Sequence, residues 1–506
     1  MPGFLREPGT TPMTDDEEPM ADRISYPAQL AALAAASPDR VAVTCGDEQV
    51  SRRRLDAASN RLAHDLRARG VGPGDMVTIG LPNSVAWFVA VAATWKLGAV
   101  PQPVSAQLPA RELEAIVDLA DSRVVLGAEP GTFGGRACLP VGYAPDPSVG
   151  DTALPDAVSP AWKAPTSGGS TGRPKVIVSG DPATLDPDAP SLVGFRPDGC
   201  LVMPGPLYHN GPLVWACDAL LSGAHVVVLP RFDAEATLAA IEEHRADVVY
   251  LVPTMMKRIW RLPTDVRLGY DLSSLQVAWH LAEPCPPWLK EAWIDWLGPE
   301  RIWELYAGAE GQAGTVITGN EWLEHRGSVG RPAEGTVQVT DADGHELPAG
   351  EEGEVWLRSV GRATPTYHYL GAEARARDGG WESLGDVGWV DADGYLYLGD
   401  RLTDMILSGG VNVYPAEVES ALQEHPGVRS CAVVGLPDDD FGNAVHAIVE
   451  PEGDGDDLDI PELLAFLGER LVRYKVPRSV ELVHEPLRND AGKVRRTALR
   501  AERLPR

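Results

Sequence analysis

Basic residues are scarce in this 506-residue chain: 44 lysines and arginines face 73 aspartates and glutamates, a formal net charge of -29. A field of that sign opposes non-specific binding to nucleic acid or to an anionic membrane, and it favours solubility. It also requires any site for a polyanionic ligand to be locally basic or rich in backbone N–H groups. Cysteine is sparse too. The six (Cys45, Cys138, Cys200, Cys217, Cys285 and Cys431) show neither CxxC pairs nor metal-ligand spacing. That pattern excludes a disulfide framework and predicts reduced, structural thiols in a cytoplasmic protein.

No charged-then-apolar leader opens the chain, and the "DDEE" run within residues 1–22 predicts a solvated, disordered acidic tail. Long apolar runs are missing as well. The most apolar stretch, 84–104, is broken by Lys96 and two prolines, which predicts a buried helix plus a strand and no membrane span. Repeats of fixed period are absent.

What is present is an ordinary globular inventory, 44% hydrophobic and 7% aromatic, in a chain too long for one average domain. "RISYPAQLAALAAASPDRVAVTCG" runs from a helix, stopped at Ser37-Pro38, into a strand. "GDMVTIGLPNSVAWFVAVAATWKLGAVPQPVS" is strand, turn, helix, strand, and "AHVVVLPRFDAEATLAAIEEHRADVVYLVPTMMKRI" repeats that rhythm. Short β-branched runs alternating with helical patterns predict α/β units around mostly parallel sheets flanked by helices. After about Asp400 the texture becomes that of a small α+β module of about 100 residues. The expected division is 23–400 and 401–506, with the boundary inside "LGDRLTDM".

The most specific local signal is "TSGGSTGRPKVIV", residues 166–178. Its glycines allow positive φ and converging backbone N–H groups, while its hydroxyls and Lys175 add donors and charge. Those are the parts of an anion-binding loop. A P-loop is excluded, because Lys175 follows a proline and no Ser or Thr comes after it. On composition alone a flexible surface loop remains open.

The stretch resembles the phosphate loop of the adenylate-forming superfamily, which includes acyl-CoA synthetases, luciferases and peptide-synthetase adenylation domains. Seven further stretches match acyl-CoA synthetase landmarks in order: "WKLGAVPQPVS", "PLYHNGP", "YLVPTMM", "GEVWLRS", "LGDVGWVDADGYLYLGDR", "ILSGGVNVYPAEVE" and "NDAGKVRR". The resemblance covers nearly the whole chain. It implies a large N-terminal α/β domain and a small mobile C-terminal cap. The implied chemistry has two halves: a carboxylate attacks the α-phosphate of ATP to give an acyl-adenylate, then coenzyme A takes the acyl group and AMP leaves.

Residue by residue, the resemblance assigns Thr166, Ser167, Gly168, Gly169, Ser170, Thr171, Gly172 and Lys175 to the phosphates. It makes Asp386 and Arg401 the ribose partners, Tyr306 the adenine stack and Glu310 the Mg2+ ligand. It makes Lys493 the cap lysine that reaches the reacting carboxylate and α-phosphate. The acyl pocket would be walled by Tyr208, His209, Asn210, Thr254, Met255 and Gly308, with His209 also a candidate gate. Ser408, Gly409 and Gly410 would line the pantetheine tunnel. Bland readings stay open beside these: a turn cap for Asp386, a buried structural histidine for His209, core packing for Met255, and a tight turn for 408–410.

Three positions depart from the family pattern. "WELYAGAEGQ" carries Ala307 and Ala309 where Tyr-Gly-x-Thr-Glu is usual, so the threonine hydroxyl expected at the α-phosphate is missing. Loss of such a donor costs about 2.7–4 kcal/mol in the transition state. In "HLAEPCPPWLK", Glu283 takes a small-residue position beside the nucleotide. Aimed at phosphate from about 6 Å it would repel by about 3 kcal/mol; aimed at solvent or at an adenine amino group it would cost nothing. Thr403 replaces the usual Asp or Lys of the hinge. These departures burden adenylation more than thioester formation. The readings they leave are an acyl-CoA ligase for a bulky cyclic (steroid, bile or terpenoid) acid with weakened adenylation, a thioesterification-only enzyme fed by a separate adenylating enzyme, a fully competent two-step synthetase, and a non-catalytic nucleotide- or acyl-binding homologue.

Overall fold

Local sequence explains most of the elements. Ser25 caps the helix Tyr26–Ala36, accepting from the Ala28 N–H at 3.0 Å, with Pro27 in the first turn where its missing donor does no harm. Ser84 caps Val85–Lys96 in the same way, and Asp233 caps Ala234–His244. The computed structural model describes residues 23–168, 174–189, 191, 193–362, 364–401, 404–408, 411–438, 441–453, 458–488 and 494–504. The expected acidic tail 1–22, the loop residues Gly169, Ser170, Thr171 and Gly172, the hinge residue Thr403, Gly409, Gly410 and Lys493 lie outside the described residues.

The predicted strand–helix–strand rhythm is present. Met76–Ile79, Val100–Pro103, Val124–Leu126 and Ala137–Leu139 form a parallel four-stranded sheet. A second, larger sheet holds six parallel strands in the spatial order Val41–Cys45, His225–Val228, Cys200–Met203, Val248–Leu251, Val277–Leu281 and Ile302–Ala307. Beyond Ile302–Ala307 it turns antiparallel through Gly314–Thr318 and Ser328–Glu334 to a pair formed by Asp386–Val390 and Leu396–Arg401. The inner parallel strands such as Cys200–Met203 and Val248–Leu251 are buried on both faces, which is why they read as continuous apolar runs, while Ile302–Ala307 at the antiparallel side is buried on alternate residues.

One hydrophobic core spans Leu30 to Tyr395, and separate cores formed after Ile406 join Pro415–Glu424, Val428–Asp438, Gly442–Pro451 and Ile460–Gly468. The C-terminal unit rests on the helix Pro253–Trp260. Lys257 donates to the Arg429 and Val428 carbonyls at 3.2 and 3.4 Å, Arg261 donates to the Val428 carbonyl at 2.9 Å, and Arg261 also pairs with Glu452. No helix among the described residues is long and apolar enough to cross a membrane.

Candidate active site

The predicted site residues follow the carboxyl ends of the parallel strands. Cys200–Met203 leads to Tyr208, His209 and Asn210; Val248–Leu251 leads to Thr254 and Met255. Val277–Leu281 leads to Glu283, and Ile302–Ala307 to Gly308, Ala309 and Glu310. Parallel strands bring these chain-distant loops to one edge, where ligands of open α/β sheets bind.

On the phosphate-loop side, Thr166–Gly168 pairs antiparallel with Pro174–Ser179, placing Ser167 opposite Lys175 and Gly168 opposite Pro174. The buried Gln102 amide donates to the Thr166 hydroxyl at 3.0 Å and so fixes the start of the loop. Lys175 reaches Glu310 Oε1 at 3.3 Å and the Tyr369 hydroxyl at 3.0 Å. Tyr369 donates to the same Glu310 oxygen at 2.5 Å, and the Lys175 ammonium sits 4.1 Å from its ring centre. Burial, followed by the Glu310 charge, pushes the Tyr369 phenol up and keeps it protonated as a donor. Glu310 itself is buried.

The nucleoside side assembles from two strand pairs. Asp386 and Arg401 are directly opposite each other in the antiparallel ladder. The Tyr306 hydroxyl donates to Asp386 Oδ2 at 2.6 Å, so the predicted ring and the predicted ribose acceptor share one contact. Asp386 opens a strand, and the turn-cap reading gives no account of that contact with Tyr306.

Glu283 makes a contact that was not among the three orientations weighed above. Its Oε2 accepts from the Thr254 hydroxyl at 2.8 Å and from the Thr254 N–H at 3.3 Å. The carboxylate therefore serves the N-terminus of the helix Pro253–Trp260, whose orphan N–H groups and dipole favour an anion. The preceding Ala282 adopts φ of +72°, a left-handed conformation uncommon without glycine, and it turns the chain for this approach.

Tyr208 and His209 are half-buried with ring centres 4.1 Å apart, and Met255 is buried. Ser408 is buried and pairs with Val411 across the strands Ile406–Ser408 and Val411–Val413. Gly308 lies where a Cβ would meet Leu384 Cδ1 at 2.7 Å and Glu310 Oε2 at 2.9 Å. Gly308→Ala is therefore expected to displace the Glu310 carboxylate and cost about 1–3 kcal/mol of stability. Thermal melting checks the stability, and pyrophosphate exchange should fall with it.

Sequence reasoning missed two residues at this edge. Tyr369 belongs to the alternating "TYHYL", whose strand pairs with the one carrying Lys175, and that period-two pattern was a usable signal. Lys163 is buried and donates to Asn210 Oδ1 and, at 3.4 Å, to the Ala309 carbonyl. Burial pushes its ammonium down to about 8, with Glu310 pulling the other way. Its one signal was a lysine inside the otherwise apolar "AWKAP".

A buried acid met by a lysine and a tyrosine, and an aspartate held by a second tyrosine, lie beside the carboxyl edge of a parallel sheet in a chain with a large N-terminal and a small C-terminal unit, the arrangement of the adenylate-forming class. The AMP-binding enzyme profile matches residues 30–368, and the AMP-binding enzyme C-terminal domain profile matches residues 417–493. The chain belongs to this family, as an enzyme of the acid–thiol ligase class. It is 33% identical over 487 residues to a feruloyl-CoA synthase of Amycolatopsis sp, covering 93% of this chain and 96% of that protein. It is 32% identical over 516 residues to a Mycobacterium tuberculosis CoA ligase named for a methyl-dioxo-octahydroindenyl propanoyl group, covering 95% and 99%. Among solved structures, the o-succinylbenzoate CoA synthetase of Bacillus subtilis, in complex with its acyl-adenylate intermediate, superposes with a TM-score of 0.78. That pair is 26% identical and covers 94% of this chain and 98% of the other.

Proposed function

We propose that this enzyme forms a CoA thioester from a bulky carboxylic acid through an acyl-adenylate, with adenylation the slower half. The observation that supports it best is the convergence at one sheet edge of Lys175, Glu310, Tyr306 and Asp386 with the pocket residues Tyr208–Asn210 and Thr254–Met255. Asp386 and Arg401 take the ribose hydroxyls, and Tyr306 offers its ring to the base. Lys175 and the loop after Thr166 take phosphate oxygens. Glu310 fits Mg2+, since that ion is commonly held by one or two carboxylates together with substrate phosphates. When bound, it would neutralise charge on those phosphates. Lys493 from the cap reaches the reacting carboxylate, and the cap then turns about Thr403 to admit coenzyme A past Ser408, Gly409 and Gly410. A bulky cyclic, steroid-like acid is the substrate class proposed, with one such ligase among the relatives beside feruloyl and fatty-acid ligases, and a cytoplasmic setting goes with six free cysteines, five of them buried.

The methyl of Ala309 favours a second reading, in which a separate enzyme supplies the acyl-adenylate and this one performs thioesterification alone. Glu283 carries less of that argument than its position suggested, because one of its oxygens is held by Thr254. Three assays against aryl, fatty and polycyclic acids separate the readings: pyrophosphate exchange, thioester formation from acid with ATP and CoA, and thioester formation from synthetic acyl-adenylate. Activity in all three is expected, and activity only in the last selects the second reading. Ala309→Thr is expected to raise pyrophosphate exchange by roughly tenfold and leave the last assay unchanged. No gain would remove the missing hydroxyl as the cause of slow adenylation.

A further inference from the structure

Four lysines are buried in the described residues, and three have evident structural tasks. Lys96 pairs with Asp56 at 2.6 Å, Lys290 pairs with Glu304 at 2.5 Å, and Lys257 ties the C-terminal unit to its helix. Lys163 is different. No carboxylate among the described residues lies within ion-pair distance of its ammonium, and both of its acceptors are neutral: the Asn210 amide and the Ala309 carbonyl. Glu310, the nearest acid in the loop, is engaged by Lys175 and Tyr369.

The position of Lys163 is firmly set. The Ala164 N–H donates to the Pro101 carbonyl at 2.9 Å, the Lys163 carbonyl accepts from Ser179 at 3.0 Å, and the Pro165 carbonyl accepts from Ile177 at 2.9 Å. A segment pinned on both sides aims one cation at two walls of the site. Asn210 opens the helix beside the acyl pocket, and Ala309 is the residue that lacks a hydroxyl. A buried charge with only neutral partners is costly, and a third ammonium hydrogen is available to an anionic ligand.

We propose that Lys163 binds an α-phosphate oxygen of the nucleotide, supplying the donor that the Ala309 methyl cannot. The proposal rests on the reading that this edge binds an adenylate. In adenylation the substrate carboxylate oxygen bonds to the α-phosphorus, the bond to pyrophosphate breaks, and pyrophosphate leaves with that electron pair. Lys163 gives up no proton; its ammonium meets the charge that builds on the α-phosphate oxygens in a site sheltered from water.

Calorimetric titration of the full-length enzyme with AMP and with adenosine tests this without knowledge of the acid. Wild-type enzyme is expected to bind AMP more tightly than adenosine. Lys163→Met is expected to lose about tenfold in AMP affinity while adenosine stays within about twofold. Lys163→Met with Ala309→Thr is expected to recover most of that loss. Asn210→Asp gives the ammonium a carboxylate partner without opening a cavity, so it should reproduce the selective loss even where Lys163→Met folds poorly. Unchanged AMP affinity in both variants overturns the proposal, and so does an equal loss for AMP and adenosine, which marks a structural prop. Failure of the wild type to bind either ligand overturns the nucleotide reading and this inference together.

Discussion

Glutamine in place of Glu310 is expected to lower thioester formation from acid, ATP and CoA by about 10²–10³-fold. Pyrophosphate exchange should fall to the same extent. The argument starts from the neighbours. Glu310 Oε1 takes the Tyr369 hydroxyl at 2.5 Å and lies 3.3 Å from the Lys175 ammonium. Glutamine keeps the shape and one acceptor oxygen, but Glu310 is buried and Lys175 only partly exposed, so stability should fall by about 1–3 kcal/mol. What disappears is the anionic ligand offered to a cation on the phosphates. Thioester formation from synthetic acyl-adenylate should be affected much less, because pyrophosphate has already left. Equal losses in both halves would make Glu310 a scaffold residue.

The strand–helix rhythm of 76–103 and 225–251 was legible because fully buried parallel strands and capped helices are written in local patterns, β-branched runs and Ser or Asp before a helix. The order of the motifs made most of the site legible too, since Asp386, Tyr306, Glu310 and Lys175 each occupy a recognisable stretch. Side-chain direction was not legible. Glu283 was weighed against phosphate, solvent and base, and its contact with a helix N-terminus 29 residues upstream, beside a left-handed Ala282, was not among them. Lys163 went unnoticed because its meaning comes from Asn210 and Ala309, 47 and 146 residues away. Contacts made only by the closed fold leave no local period or spacing behind.

These contacts also describe a site whose polar groups already have protein partners. Tyr306 holds Asp386, and Lys175 with Tyr369 holds Glu310, so none of these groups waits for ligand in a random rotamer. A nucleotide must exchange hydrogen bonds with them, which lowers ground-state affinity, while the fixed geometry favours the charge that develops later. With Lys163 in the role proposed above, adenylation depends on how well Lys163 and Lys175 together replace one hydroxyl.

Glu304→Gln is expected to be the most destabilising single change considered, by about 3–5 kcal/mol. Lys290 is fully buried, its ammonium 2.5 Å from Glu304 Oε2 and 5.2 Å from the centre of the Trp322 ring. His280 lies beside them, with Nε2 3.9 Å from the same oxygen and neither ring nitrogen hydrogen-bonded. Burial, reinforced by the Lys290 charge, holds His280 well below its usual range, so the imidazole is neutral and cannot replace the lost anion. Glutamine would leave the ammonium facing only dipoles and an aromatic face. Thermal melting should show the large domain's transition lowered by roughly 4–6 °C. Lys290→Met combined with Glu304→Leu should recover most of the loss, because it removes both charges and fills their volume. The depressed His280 adds a pH signature. Its unfolded form takes a proton below about pH 6.5 and its folded form does not, so stability falls as pH drops through that value. His280→Phe should flatten that fall, and a single variant as stable as wild type at pH 7 would show that the pair contributes little to this core.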